Sequence, residues 1–202
     1  MKPAEYYYTI DRTGSEEFKD RGSKFIAYAC PVENADAFKK FLQQLKKEHS
    51  KAVHHCFAYR LGLTGDNFRV SDDGEPSGTA GKPILGQIDS RQLTNTAIVV
   101  VRYFGGTLLG VPGLINAYKT VTALVLQTIP IIQKQVEQIY MIRFDYTQVN
   151  DVIQVLKNGN CNMIEQDLQL FSQIKAGIPN GRIEEVLHRL NDLRNVELVK
   201  IL

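Results

Sequence analysis

The chain has 202 residues, 44% of them apolar and 23% charged, with a formal net charge of +2 at pH 7. These values exclude a disordered polymer, and the charge is too small for a domain that works mainly by neutralising a nucleic-acid backbone. Cys30, Cys56 and Cys161 are odd in number and form no C-x-x-C pair, which excludes a disulfide framework and a structural zinc site, and no apolar run approaches the ~20 residues of a membrane helix. A cytoplasmic location without membrane contact is expected.

In chain order, Tyr6 to Thr13 and Lys24 to Val32 read as strands, and Asn34 caps a helix whose inward stripe is Ala35, Phe38, Leu42 and Leu45, with Lys39, Lys40, Lys46 and Lys47 outside. Strands over about 52–62 and 67–71 precede a Gly-, Ser- and acid-rich loop, Ser71 to Gly81. A short helix over 84–92 and an apolar strand over 96–103 follow, the strand leading through Gly105-Gly106 into a helix from Pro112 to about Thr128. A Gln-Lys-Gln interruption near 131–137 marks the expected division into domains 1–135 and 136–202. In the second domain, alternation around Tyr140 to Tyr146 gives a strand, and Val149, Val152, Ile153 and Leu156 give a helix. Strands at about 161–168 and 170–178, a helix on Ile183, Val186, Leu187 and Leu190, and a strand from Val196 complete a β-α-β-β-α-β order, that of the ferredoxin-like split βαβ unit. The expected class is α+β for both domains.

The loop 74–82 fails as a P-loop, because Pro76 stands where the first glycine belongs and Pro83 follows Lys82. Its Ser77, Gly78, Thr79 and Gly81 amides, beside Lys82, are expected to form a concave nest for an anion. Asp72, Asp73 and Glu75 lack the alternation of a calcium loop but suit acid–base work or one Mg2+ ion held together with substrate phosphates. His54 and Cys56 share one face of their strand and His55 the other, so His54 is a candidate base or anion donor, with no metal site expected. Arg102 and Tyr103 end a buried strand as a ligand-facing cation and a stacking ring, whereas Phe104 is expected in the core. Gly105 and Gly106 would let backbone approach a ligand, and Arg21, Lys24 and Arg60 would extend the cationic surface.

Four ordered blocks, Arg21-Gly22-Ser23-Lys24-Phe25-Ile26, His55-Cys56-Phe57-Ala58-Tyr59-Arg60, Ser71 through Gly81, and Val101-Arg102-Tyr103-Phe104-Gly105-Gly106, resemble the signature of the IMPACT family, whose bacterial members are YigZ-type proteins. The resemblance implies an N-terminal fold similar to the second domain of a small-subunit ribosomal protein, followed by a ferredoxin-like domain similar to the last domain of elongation factor G. Eukaryotic relatives regulate translation through the kinase pathway that senses amino-acid starvation; that mechanism rests on a further N-terminal domain and is not carried over. The sequence departs from the family pattern at Leu108, Pro112 and Asn116, where lysine, glycine and arginine are common, so two cations beside the expected pocket are missing.

The expected function is that of a translation-associated regulatory protein. It would bind RNA or the ribosome through an anion pocket between the 71–82 and 102–106 loops, with a protein partner at the C-terminal domain. The alternatives are a small-molecule enzyme of phosphotransfer or hydrolysis using Asp72, Asp73, Glu75 or His54, and a protein-binding adaptor. No cofactor is expected; Mg2+ belongs to the enzyme alternative alone.

Overall fold

The computed structural model describes residues 4–201. The elements are β1 (Tyr6–Ile10), β2 (Gly14–Asp20), β3 (Ser23–Pro31), α1 (Ala35–Glu48), β4 (His54–Leu61), β5 (Asn67–Ser71), α2 (Gly81–Ser90), β6 (Thr96–Tyr103) and α3 (Gly110–Thr128). After these come β7 (Ile131–Gln135), β8 (Glu137–Asp145), α4 (Val149–Asn158), β9 (Asn162–Asp167), β10 (Phe171–Pro179), α5 (Ile183–Asn191) and β11 (Val196–Lys200). The class is α+β. The chain divides into two compact units: one is Tyr8–Gln133, and the other holds the described residues before Tyr8 together with those from Lys134 on. The residues before Tyr8 therefore do not belong with the unit they precede, and the Gln133-Lys134-Gln135 stretch is strand rather than linker.

The first unit is built on a five-stranded antiparallel sheet of order β2-β3-β6-β4-β5. Its middle strand, β6, is buried on both faces, which explains the unbroken run Ala97 to Val101. Strand alternation sends Ala97, Val99 and Val101 with Phe57 and Tyr59 toward Phe38 and Leu45 of α1. Ile98 and Val100 with Phe25, Cys56 and Ala58 go toward α2 and α3. Helix α1 starts where expected, with Asn34 Oδ1 accepting the Ala37 N–H at 2.9 Å. Its inward stripe includes Phe41, and Ala35 is exposed.

Strand β2 is not among the expected elements, because Gly-Ser-Glu-Glu-Phe-Lys-Asp is polar on one face and only half buried on the other. It joins β3 through a two-residue turn, Arg21-Gly22, with φ of 45° and 79°; positive φ at both positions suits the twist of a tight hairpin.

The second unit has sheet order β11-β8-β10-β9, all pairs antiparallel, with α4 and α5 packed on the face that carries Tyr140, Ile142, Phe144, Ile174 and Ala176. This is the split βαβ topology that the order of elements predicts. Burial in this unit pushes the Cys161 thiol up to about 11, so that side chain stays a neutral, packed thiol. No helix among the described residues is long and apolar enough to cross a membrane.

Candidate functional site

Three of the four blocks picked out in the sequence, with His55 and Cys56 at the start of the fourth, meet at one end of the five-stranded sheet. Strand register sets His54 of β4 opposite Arg102 of β6, and Phe25 of β3 opposite Arg102 on its other side. On the α2/α3 face at this end stands a buried cluster: Arg102 Nη1 donates to Glu75 Oε1 at 2.6 Å, and the Tyr118 hydroxyl of α3 donates to the same oxygen at 2.7 Å. The side chains of Arg102 and Glu75 are only 6% and 3% exposed. The Arg102 guanidinium lies 5.3 Å from the Phe25 ring centre and 5.6 Å from that of Phe104, within cation–π range of both. Its Nη2 reaches Ser23 Oγ at 3.4 Å, and the Gly105 N–H donates to that same oxygen at 3.2 Å.

Arg102 is therefore not a free, ligand-facing cation. A buried guanidinium needs a counter-charge, and Glu75 supplies it from the acidic loop. The two neighbouring assignments change as well: Phe104, expected in the core, is 47% exposed, while Tyr103 points to the opposite face of the sheet. There its hydroxyl bonds His49 Nδ1 at 2.8 Å, and Lys24 lies 5.5 Å from its ring centre. Arg102 and Tyr103 are successive strand residues and cannot line one pocket.

The expected anion nest is filled by the protein's own Asp72. The Gly78, Ala80 and Gly81 N–H groups donate to its two carboxylate oxygens at 2.8, 3.0 and 2.8 Å, while Thr79 Oγ1 donates to the Pro76 carbonyl. Partial burial raises the Asp72 pKa, but the three amides outweigh it and hold the carboxyl below the usual aspartate range. A group lowered on folding adds stability that is present above its unfolded pKa and is lost as pH falls through the folded value. Asp72→Asn, which keeps one acceptor oxygen and removes the charge, is expected to lower stability by about 2 kcal/mol at neutral pH. The loss should shrink toward pH 3, as read by urea unfolding at both pH values.

The three acids do not converge. Asp73, with φ of 40°, accepts the His55 N–H on Oδ2 at 2.7 Å and lies 3.8 Å from Lys46 Nζ, Asp72 holds the loop, and Glu75 holds Arg102. Among the described residues no group of three His, Cys, Asp or Glu side chains forms a metal-ligand set. His55 is buried on the α1 face with Nε2 unpartnered; desolvation lowers its pKa, opposed by Asp73. Because the unfolded chain takes up this proton first, stability should fall as pH drops through the ordinary histidine range near 6.5. His55→Gln should flatten that part of a stability–pH profile.

His54 faces the cluster. Its Nδ1 lies 2.8 Å from the Asp73 carbonyl oxygen, which can only accept, so Nδ1 carries the proton. Nε2 is 3.8 Å from Glu75 Oε1, makes no hydrogen bond within the chain and is not sealed from solvent. Cys56 Sγ donates to the Asp72 carbonyl at 3.0 Å and also lies 3.3 Å from the Tyr118 hydroxyl; burial pushes both the thiol and the phenol far up, keeping them neutral.

The remaining expected cations are scattered. Lys24 pairs with Glu17 at 3.2 Å. Arg60 pairs with Asp89 at 2.8 Å, at the Thr96 end of β6, six strand residues and about 20 Å from Arg102. Arg21 is an exposed turn residue, and Lys82 and Ser77 are exposed near the loop. Gly105 does approach backbone closely, but that of Gly22 rather than of a ligand.

Above the Glu75–Arg102 pair opens a cavity of about 410 Å³, walled by Val53, Pro76, Phe104, Leu108, Leu109, Val111 and Leu114 and floored by His54, Glu75 and Arg102. Leu108 is 80% exposed, Val53 52% and Val111 51%. Neither Tyr118 nor these walls are predicted site residues. The one available signal is a tyrosine on the buried stripe Leu114, Ala117, Val121 and Val125 of α3, whose hydroxyl must find a partner.

The Impact N-terminal domain family matches residues 21–126, a span that contains the whole cluster and cavity. The chain belongs to the IMPACT family. It is 34% identical over 179 residues to the IMPACT family member YigZ of Escherichia coli, covering 88% of this chain and 87% of that one. It is 36% identical over 153 residues to YvyE of Bacillus subtilis, covering 76% and 70%. A crystal structure of a hypothetical protein superposes with a TM-score of 0.76 at 29% identity, covering 99% of each chain. Family membership thus extends over both units, while the Impact N-terminal domain match falls within the unit that holds the site.

Proposed function

We propose that this chain is a cytoplasmic regulatory binding protein of the translation apparatus, which associates with the ribosome and uses the cavity above the Glu75–Arg102 pair as its recognition site. The translational context is supported by membership of the IMPACT family. The observation that carries the site is the convergence of the Arg21–Ile26, Ser71–Gly81 and Val101–Gly106 blocks on one buried ion pair under an open, apolar-rimmed cavity. A scaffold that spends a buried charge pair, a tyrosine and a three-amide carboxylate clamp on one short loop holds that loop rigid, and rigid walls favour recognition.

Binding of RNA phosphates at this site is not supported. Arg102 is neutralised by Glu75, the loop amides serve Asp72, and Lys24 and Arg60 are paired elsewhere. The C-terminal unit is the proposed docking module for a protein partner: its sheet face opposite α4 and α5 presents the paired Arg143–Glu197 and Lys175–Glu165, with Phe171 82% exposed. Ribosome co-sedimentation from purified components tests the proposal. The wild type is expected in the pellet at low and at physiological salt, and Leu108→Asp is expected to reduce pelleting several-fold. Wild-type protein that stays in the supernatant at low salt overturns it.

One observation favours a second reading, a small-molecule enzyme. His54 has its Nδ1 proton held by the Asp73 carbonyl and lines the cavity floor, an arrangement suited to acid–base work at Nε2. This reading proposes no cofactor, since Asp72 and Glu75 are already engaged. Turnover in a screen of phosphoester and ester substrates that His54→Gln abolishes would support it; turnover that His54→Gln retains, or none in the wild type, removes it.

A further inference from the structure

We infer that the cavity takes a compact amphipathic ligand group, an aromatic or branched aliphatic body with a hydrogen-bond donor (ammonium, amide N–H or hydroxyl) at its deep end, and that it discriminates against carboxylates and phosphates. This rests on the reading of the cavity as the recognition site and names what that site accepts.

The walls set the body. Val53, Phe104, Leu108 and Val111 leave large apolar surface in water around one opening, while Leu109 and Leu114 are buried behind them. Contiguous exposed apolar surface of this kind is stabilised by covering it. The volume of about 410 Å³ lies near the low end of small-ligand sites, enough for a single ring or branched chain with its head group.

The floor sets the head group. Arg102 is the only cation among the cavity-lining residues, and its charge is cancelled by Glu75 at 2.6 Å. An entering carboxylate or phosphate would have to compete with a buried carboxylate already in contact, and would meet its repulsion. The Arg102 Nε–H is unpartnered but sealed from solvent, so it offers a ligand nothing. What the floor does offer is acceptors. Glu75 Oε1 takes both Arg102 and Tyr118, whereas Oε2 makes no hydrogen bond within the chain and is not sealed. In the neutral imidazole the proton sits on Nδ1, facing the Asp73 carbonyl, which leaves His54 Nε2 as the second acceptor. Two acceptors on one floor call for a donor between them.

The experiment uses three probes that share one body, 2-phenylethylamine, 2-phenylethanol and phenylacetate, with inorganic phosphate as the fourth, titrated into the full chain and followed by amide chemical shifts. Saturable shifts clustered at Phe104, Leu108, Val111 and Leu114 are expected for the amine and the alcohol. Phenylacetate and phosphate should bind at least tenfold more weakly. Leu108→Ser, at a position 80% exposed, should weaken binding of both the amine and the alcohol at least fivefold. The inference is overturned if phenylacetate binds as well as the amine, if shifts fall elsewhere, or if no probe saturates. Ribosome pelleting read in parallel separates the two failures: loss of probe selectivity with pelleting intact overturns this inference alone, and selective binding without pelleting overturns only the proposed ribosomal function.

Discussion

Replacing Arg102 with methionine is expected to lower unfolding free energy by about 3–5 kcal/mol, the range for removing one partner of a buried ion pair. Methionine matches the stem in length and polarisability, so the loss reports charge more than volume. With the guanidinium gone, Glu75 keeps only the Tyr118 hydroxyl as a hydrogen-bond partner within the chain, in a site where its side chain is 3% exposed and has lost its counter-charge. The diagnostic is the second substitution. Glu75→Gln in the Arg102→Met background removes the orphaned charge, so the double variant should recover about 1–2 kcal/mol relative to Arg102→Met alone, a coupling read from a double-mutant cycle of urea unfolding. A loss below about 1 kcal/mol for Arg102→Met, or additive effects in the cycle, would show that the pair does not hold this end of the sheet together.

Gly105→Ala is expected to cost about 3 kcal/mol or more, at the upper end for overpacking a closed site. A Cβ at position 105 would stand 1.9 Å from the Gly22 carbonyl carbon and 2.2 Å from the Ser23 nitrogen. Both are backbone atoms of the β2–β3 turn, which cannot swing aside as a flexible side chain would. Relief requires the 104–106 loop to lift off the hairpin, breaking the Gly105 N–H bond to Ser23 Oγ and loosening Ser23 beneath Arg102. Gly106→Ala is the control: a Cβ there meets open space, and only its φ of 85° is strained, so about 1 kcal/mol is expected. Thermal unfolding of the two variants side by side checks the difference, and equal effects would contradict the close-approach account.

Much of the architecture was legible because periodicity is local. β6 falls on its expected residues, the Asn34 cap forms as expected, and the six C-terminal elements appear in order, since Val149, Val152, Ile153 and Leu156 can only share a face on a helix. Where locality fails, so does legibility. β2 has a weak apolar face and is a strand because β3 is there to pair with it. Helix α3 begins at Gly110 rather than Pro112, because a first turn tolerates proline at more than one position and the unpaired amides there constrain its start weakly.

The candidate site divides in the same way. That Ser71–Gly81, Arg102 and the Gly105-Gly106 pair matter could be read from the chain, because positive-φ loops, clustered acids and a cation ending an apolar strand are locally costly and call for a reason. Their partners could not be read. Glu75 meets Arg102 across 27 residues and Tyr118 across 43, and Asp72 fills a nest that the bare loop sequence offers equally to any anion. Charges buried on folding must be paired, but the pair is chosen by which strands and helices come to lie side by side. Strand register, not residue spacing, therefore turned an expected phosphate-binding cation and amide cradle into a self-neutralised floor beneath an apolar cavity.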